Sequence, residues 1–113
     1  MPSVGRAVVA RFRQFVGQHL DQPVEMERLC RVLRVNERTL RAYCVQHLGM
    51  SPKQYHDLRR MERVRQRLRM ANPAKTTVSE IAIQHGFRQH GWFSVRYRER
   101  FGESPSVTLA TKG

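Results

Sequence analysis

The sequence predicts an all-α fold of two helix-turn-helix subdomains joined by a long linker helix, about seven helices in all. Three observations carry that expectation. Apolar residues recur at helical spacing along most of the chain. Gly-x-Ser-Pro stops one helix and restarts another at Gly49-Met-Ser-Pro, and again at Gly102-Glu-Ser-Pro. The second half also repeats the first. Leu40, Cys44, Leu48, Gly49, Ser51 and Pro52 fall on Phe93, Tyr97, Phe101, Gly102, Ser104 and Pro105 at a constant offset of 53. Leu29, Cys30, Arg34 and Val35 fall on Ile81, Ala82, Gly86 and Phe87 at an offset of 52, so the second turn holds one extra residue.

In chain order, a support helix is expected over 4–20, with Ala7, Val8, Phe12, Phe15, Val16 and Leu20 as its apolar stripe. Pro23 marks a break. The next helix, over 24–33, buries Met26, Leu29, Cys30 and Leu33 behind the weak cap Glu25. Asn36 is a good N-cap for a helix through 48, with Leu40, Tyr43, Cys44 and Leu48 inward. Ser51 and Pro52 open a long helix over 52–70. Tyr55, Leu58, Met61, Val64 and Leu68 form its buried stripe, and six arginines from Arg59 to Arg69 cover much of its remaining surface. A loop follows over 71–76.

The stretch 77–101 is the better-formed unit. Thr77 and Glu80 stand in capping-box spacing, each able to satisfy the other's backbone donor. Gly86 ends the short helix, since glycine takes a left-handed turn at little steric cost. Phe93, Tyr97 and Phe101 then line one face of a basic amphipathic helix. A last helix is expected over 105–109. The domain therefore runs over 4–110, with subdomains at 4–50 and 72–110 and the linker at 51–71.

Composition narrows the function. In 113 residues, 21 Lys+Arg against 9 Asp+Glu give a net charge of +12, with a pI near 11.3. Such a surface attracts a polyanion. No apolar run approaches the roughly 20 residues of a membrane span, and a secretory signal pattern is lacking, so a reducing, cytoplasmic setting is expected. Cys30 and Cys44 make neither a disulfide framework nor a zinc pattern and read as core thiols. Paired carboxylates, a nucleophile elbow and a phosphate-binding loop are all missing, so neither an enzyme nor a cofactor or metal site is expected.

The pattern resembles the DNA-binding domain of the AraC/XylS family of bacterial transcriptional regulators over nearly the whole chain. Its strongest matches are Ile81-Ala82-x-x-x-Gly86-Phe87, Phe93-Ser94, Tyr97 and Phe101-Gly102-x-Ser104-Pro105. Leu48-Gly49-Met50-Ser51-Pro52-x-x-Tyr55 and Leu58-Arg59 match in the first half. The ending Phe-Gly-Glu-Ser-Pro-Ser-Val-Thr-Leu, with Gly91-x-Phe93, is similar to the branch that includes ethanolamine-utilisation regulators. The resemblance implies double-stranded DNA as partner, RNA polymerase as a second, and a separate sensor or dimerisation domain in a longer chain. Three residues depart from the family pattern. Arg34 stands where glycine is usual, a strain of about 1 kcal/mol; Cys44 replaces a phenylalanine, and Thr108 an aromatic.

Base readers belong in the N-terminal half of each recognition helix, opposite the buried stripe. In the first unit, over 36–48, these are Asn36, Arg38, Thr39, Arg41 and Ala42. In the second, over 89–101, they are Arg88, Gln89, His90, Gly91, Ser94 and Val95. Arg38 suits guanine O6 and N7, Gln89 suits adenine, and Val95 and Gly91 offer shape or thymine-methyl contact. Helix N-termini near Glu25, Asn36, Val78 and Arg88 add candidate phosphate contacts. At about 1.5 Å per residue the linker spans roughly 27 Å, against about 34 Å between successive major-groove faces, so one chain can address two groove segments. Two other readings compete. A basic RNA-binding or ribosome-associated module requires exposed aromatics, yet these follow the buried stripes. A membrane-surface or partner-binding helix accounts for the linker but not for the duplicated turns.

Overall fold

The computed structural model describes residues 3–111, apart from the side chain of His90. Among these residues the chain forms seven helices and no strand: α1 (Val4–Gly17), α2 (Met26–Leu33), α3 (Glu37–Leu48), α4 (Pro52–Met70), α5 (Val78–Gln84), α6 (His90–Phe101) and α7 (Pro105–Ala110). The fold is all-α, as expected. Two compact units divide the chain, Met1–Arg59 and Arg60–Gly113, with the boundary inside α4.

In the first unit α1 packs on α2 and α3. Phe12, Val16, Leu29, Leu33, Leu40 and Cys44 are almost fully shielded from water. Each fully buried side chain of leucine or phenylalanine size contributes about 1.5–3 kcal/mol. Ser3 caps α1 by accepting from the Arg6 N–H at 3.1 Å. That helix stops at Gly17, short of residue 20, for a local reason. The Phe15 carbonyl accepts from the Gln18 N–H at 3.1 Å and from the His19 Nδ1–H at 2.8 Å, which fills both of its lone pairs before the His19 backbone N–H can reach it. That N–H turns instead to Val16 at 2.9 Å. Leu20 still packs against the core from outside the helix. Ala7, expected in the stripe, is exposed, and Val9 is buried in the same helix. Gly5 faces Tyr43 closely enough that a Cβ there would meet the ring at 2.8 Å.

α2 begins at Met26 rather than 24, because Glu25 is still extended at φ −111° and ψ 99°. Met26 and Cys30 are half-buried rather than buried. Asn36 caps α3 as expected, its Oδ1 accepting from the Thr39 N–H at 2.7 Å. Ser51 opens α4 with a full capping box: Gln54 N–H donates to Ser51 Oγ at 3.2 Å, and Ser51 N–H donates to Gln54 Oε1 at 2.9 Å.

The second unit closes its core with Val64, Leu68, Ile81, Ala82, Phe93 and Tyr97. Thr77 caps α5, accepting from the Glu80 N–H at 3.1 Å. Only half of the expected box forms, because the Glu80 carboxylate takes the Thr76 hydroxyl at 2.9 Å. Ser104 caps α7, accepting from Val107 at 3.2 Å, and repeats the Ser51 restart. Thr108 lies deep in this unit. It accepts from the Tyr97 hydroxyl at 2.8 Å and donates to the Glu103 carboxylate. Burial raises the Tyr97 pKa above that of a free phenol.

Arg60 corrects the picture of α4 as an arginine-covered rod. It is only 4% exposed, donates to the His85 carbonyl at 2.7 Å, and lies 4.2 Å from the Phe87 ring centroid. A planar guanidinium can be buried this way because the ring face and the carbonyl replace water around it. Arg65 is half-buried over Phe101 at 4.7 Å. Arg59, also half-buried, donates to the Tyr55 hydroxyl at 2.7 Å.

Candidate nucleic-acid interface

Each unit ends its first helix and aims its second through the same backbone device. After α2, the Arg34 N–H donates to Arg31 at 3.3 Å and the Val35 N–H to Cys30 at 3.2 Å. After α5, the Gly86 N–H donates to Ile83 and the Phe87 N–H to Ala82, both at 3.0 Å. Both pairs form the Schellman arrangement, which needs a left-handed residue in the middle. Gly86 takes φ 83° and Arg34 takes φ 57°, the latter the one non-glycine at positive φ among the described residues. His85 reinforces the second turn, its buried Nδ1–H donating to the Ile81 carbonyl at 2.9 Å.

In the first unit, Asn36, Arg38, Arg41 and Ala42 lie exposed at the start of α3, and Thr39 is half-buried. The Asn36 carbonyl oxygen is taken up in capping, which leaves its amide group for a ligand. Arg41 is held by Glu37 at 2.8 Å, with 59% and 55% of the two side chains exposed.

In both units the recognition helix begins one residue inside the expected range, at Glu37 and at His90. Gln89 is the N-cap of α6, at φ −96° and ψ 93°, without a side-chain capping bond. Arg88 and Gln89 therefore belong to the turn, and the helix N-terminus lies at His90 rather than near Arg88. The extra residue of the second turn leaves Arg88 in the turn, while Gln89 holds the N-cap position that Asn36 holds in α3. Arg88 and Gln89 are exposed, as are Gly91 and Val95; Ser94 is half-buried. The side chain of His90 lies outside the described residues. Trp92 stacks on Phe87 at 6.2 Å, at the edge of the core.

Two partners were missed on the sequence alone. Glu37 pairs with Arg41, and Arg96 pairs with Glu99 at 3.0 Å while its guanidinium sits 6.0 Å from the Trp92 ring. Their i,i+4 and i,i+3 spacings were the signals available. Among the described residues, three or more His, Cys, Asp or Glu side chains nowhere gather in a group that could hold a metal ion. None of the helices described is long and apolar enough to cross a membrane. Burial pushes the Cys44 thiol up to about 11; burial, then the charge of Glu37, raises Cys30. Both therefore stay protonated near neutrality, Cys44 in the core and Cys30 at its edge.

Two helix-turn-helix units on one strongly basic chain, each with polar and cationic side chains at the start of its second helix, define a double helix-turn-helix DNA-binding domain. Comparison with known proteins agrees. A family model described as a helix-turn-helix domain matches residues 29–111. The XylDLEGF operon transcriptional activator 1 of Pseudomonas putida is 36% identical over 107 residues, covering 95% of this chain and 32% of that protein. Activator 2 of the same operon and organism is 30% identical over 106 residues, covering 94% of this chain and 68% of that protein. Among solved structures, the C-terminal domain of AraT, a response regulator from Geobacillus stearothermophilus, matches with a TM-score of 0.80 at 26% identity, covering 97% of this chain and 89% of that one.

The chain belongs to the AraC/XylS family of transcriptional regulators and is a sequence-specific, double-stranded-DNA-binding domain for transcription regulation. It spans about a third of the length of activator 1.

Proposed function

We propose that α3 and α6 enter two successive major-groove segments of one DNA site, so that a single chain reads both without dimerising. The observation that carries this reading is the repeated unit on either side of one continuous helix, Pro52–Met70. A nineteen-residue helix is about 28 Å long, close to the roughly 34 Å that separates major-groove faces on one side of B-DNA.

Within the site, Arg38 and Arg41 read guanine, and Asn36, Thr39 and Ala42 set the fit around them. Arg88, Gln89, His90, Gly91, Ser94 and Val95 contribute phosphate contacts, adenine pairing and shape at the other end. The second unit anchors the domain and the first supplies much of the discrimination, because Arg38 and Arg41 offer more hydrogen-bonding chemistry than Gly91 and Val95. The chain acts within a longer cytoplasmic regulator that has a separate sensor or dimerisation domain, and it activates transcription by engaging RNA polymerase. The name of P. putida activator 1 supports the activating role, and its greater length supports a further domain.

Selection of bound sites from a random duplex library tests the reading. The expected result is a bipartite motif whose halves lie about one helical turn apart. A single short motif would show that only one unit reads bases.

A further inference from the structure

α3 carries a pair of opposite charges to which base reading alone gives no role. Glu37 is the first residue of α3, and its carboxylate accepts from Arg41 Nη2 at 2.8 Å, one turn further on. Both side chains are more than half exposed. An exposed ion pair of this kind adds little to folding, because water solvates both groups and salt screens them. A carboxylate is also repelled by the phosphates that a recognition helix must approach. At the matching positions the second unit has no such pair, since the residues in register with Glu37 and Arg41 are His90 and Ser94; its Arg96–Glu99 pair lies further along α6.

Resting on the reading of α3 as a recognition helix, we infer that Glu37 is a specificity-determining residue: it holds the Arg41 guanidinium for a guanine edge and penalises docking on phosphates alone. An untethered arginine has a long flexible stem and finds the nearest phosphate whatever the sequence. The carboxylate occupies one donor of the guanidinium and leaves the others for guanine O6 and N7. Where the base is wrong, Arg41 stays on Glu37 instead of moving to a phosphate, so no base contact offsets the repulsion between the carboxylate and the phosphates, and the complex is weakened. Discrimination then comes from a repulsive element as well as from an attractive one.

The test measures the affinities of Glu37→Gln, Glu37→Asp, Arg41→Ala and Glu37→Gln/Arg41→Ala for two duplexes at low salt. One is the best duplex that the wild-type chain selects from a random pool; the other is its scrambled counterpart. Glu37→Gln is expected to tighten the scrambled complex several-fold and to lower the ratio of selected to scrambled affinity. Glu37→Asp keeps the charge but is too short to hold Arg41, so it weakens the selected complex without tightening the scrambled one. In the Arg41→Ala background, Glu37→Gln no longer changes preference at the base pair that Arg41 reads. An unchanged ratio in Glu37→Gln, or an undiminished effect on that base pair without Arg41, overturns the inference. If Arg41→Ala relaxes base preference while Glu37→Gln does not, only the role of Glu37 falls. If neither Arg38→Ala nor Arg41→Ala alters preference, α3 does not read bases and both claims fall. Circular dichroism melts of each variant separate these outcomes from misfolding.

Discussion

The two helix-turn-helix units make the same pair of hydrogen bonds at their turns but place different residues at the left-handed position: Arg34 in the first and Gly86 in the second. They also start their recognition helices differently. Asn36 caps α3 with its side chain, whereas Gln89 gives α6 no such bond. The second unit has an unstrained turn and a run of packed aromatics, with Phe87, Phe93, Tyr97 and Phe101 in successive ring contacts. The first has a strained turn, a cysteine at the position of Tyr97, and a charged reading face. The comparison teaches that a repeat can keep its backbone hydrogen bonds while core volume and surface chemistry drift apart.

The largest expected effect probes the cores. Phe93→Ala should cost about 3–5 kcal/mol and Leu40→Ala about 2–5 kcal/mol. Urea denaturation followed by a unit-specific probe, Trp92 fluorescence for the second unit, shows whether the aromatic core is the more costly to empty. Arg38→Ala should cost about 1–3 kcal/mol of operator affinity and relax specificity at one end of the site. Ser94→Ala should alter base preference less, and competition binding across single-base operator variants decides it. A larger change from Ser94 would reverse the proposed division of labour.

Exchanging the turn residues is expected to move stability in opposite directions. Arg34→Gly removes left-handed strain and Gly86→Ala introduces it, each by about 1 kcal/mol. Thermal melts of the two variants read the sign directly, and the same sign in both would break the comparison. A further effect is confined to alkaline pH. The Cys44 thiol is raised in the fold to about 11, so its contribution is complete below the unfolded thiol value of about 8.5 and is lost as pH rises toward the folded value. Wild type should therefore lose stability over this alkaline range more steeply than Cys44→Ala, as read from urea midpoints.

Much of this was legible because local chemistry and tertiary role coincide. Asn36, Ser51, Ser104 and Gly86 mark boundaries through their own backbone or neighbouring N–H groups, and sequence alone exposes that. The repeat was legible for the same reason, since its landmarks are stop-and-start residues. Arg60 was not, because a charge reads as surface until a ring and a carbonyl are known to meet it. His19 escaped notice because a histidine's ability to take its own helix's carbonyl depends on a rotamer. Glu80 chose Thr76 over the Thr77 backbone, a competition between two nearby donors that spacing cannot rank. Helical spacing already puts Asn36, Arg38, Arg41 and Ala42 on the exposed side of α3, but it does not rank Glu37 as the partner of Arg41.

The left-handed Arg34 has a consequence for mutational tolerance. Its backbone already accommodates a side chain at positive φ, so most unbranched residues there should be close to neutral, with glycine and asparagine favoured. Position 86 has the same hydrogen bonds but carries a glycine. A saturation scan should therefore be lopsided across the repeat, permissive at 34 and restrictive at 86. Position 34 is also the natural place to attach a spectroscopic label beside a recognition helix without disturbing the turn that aims it.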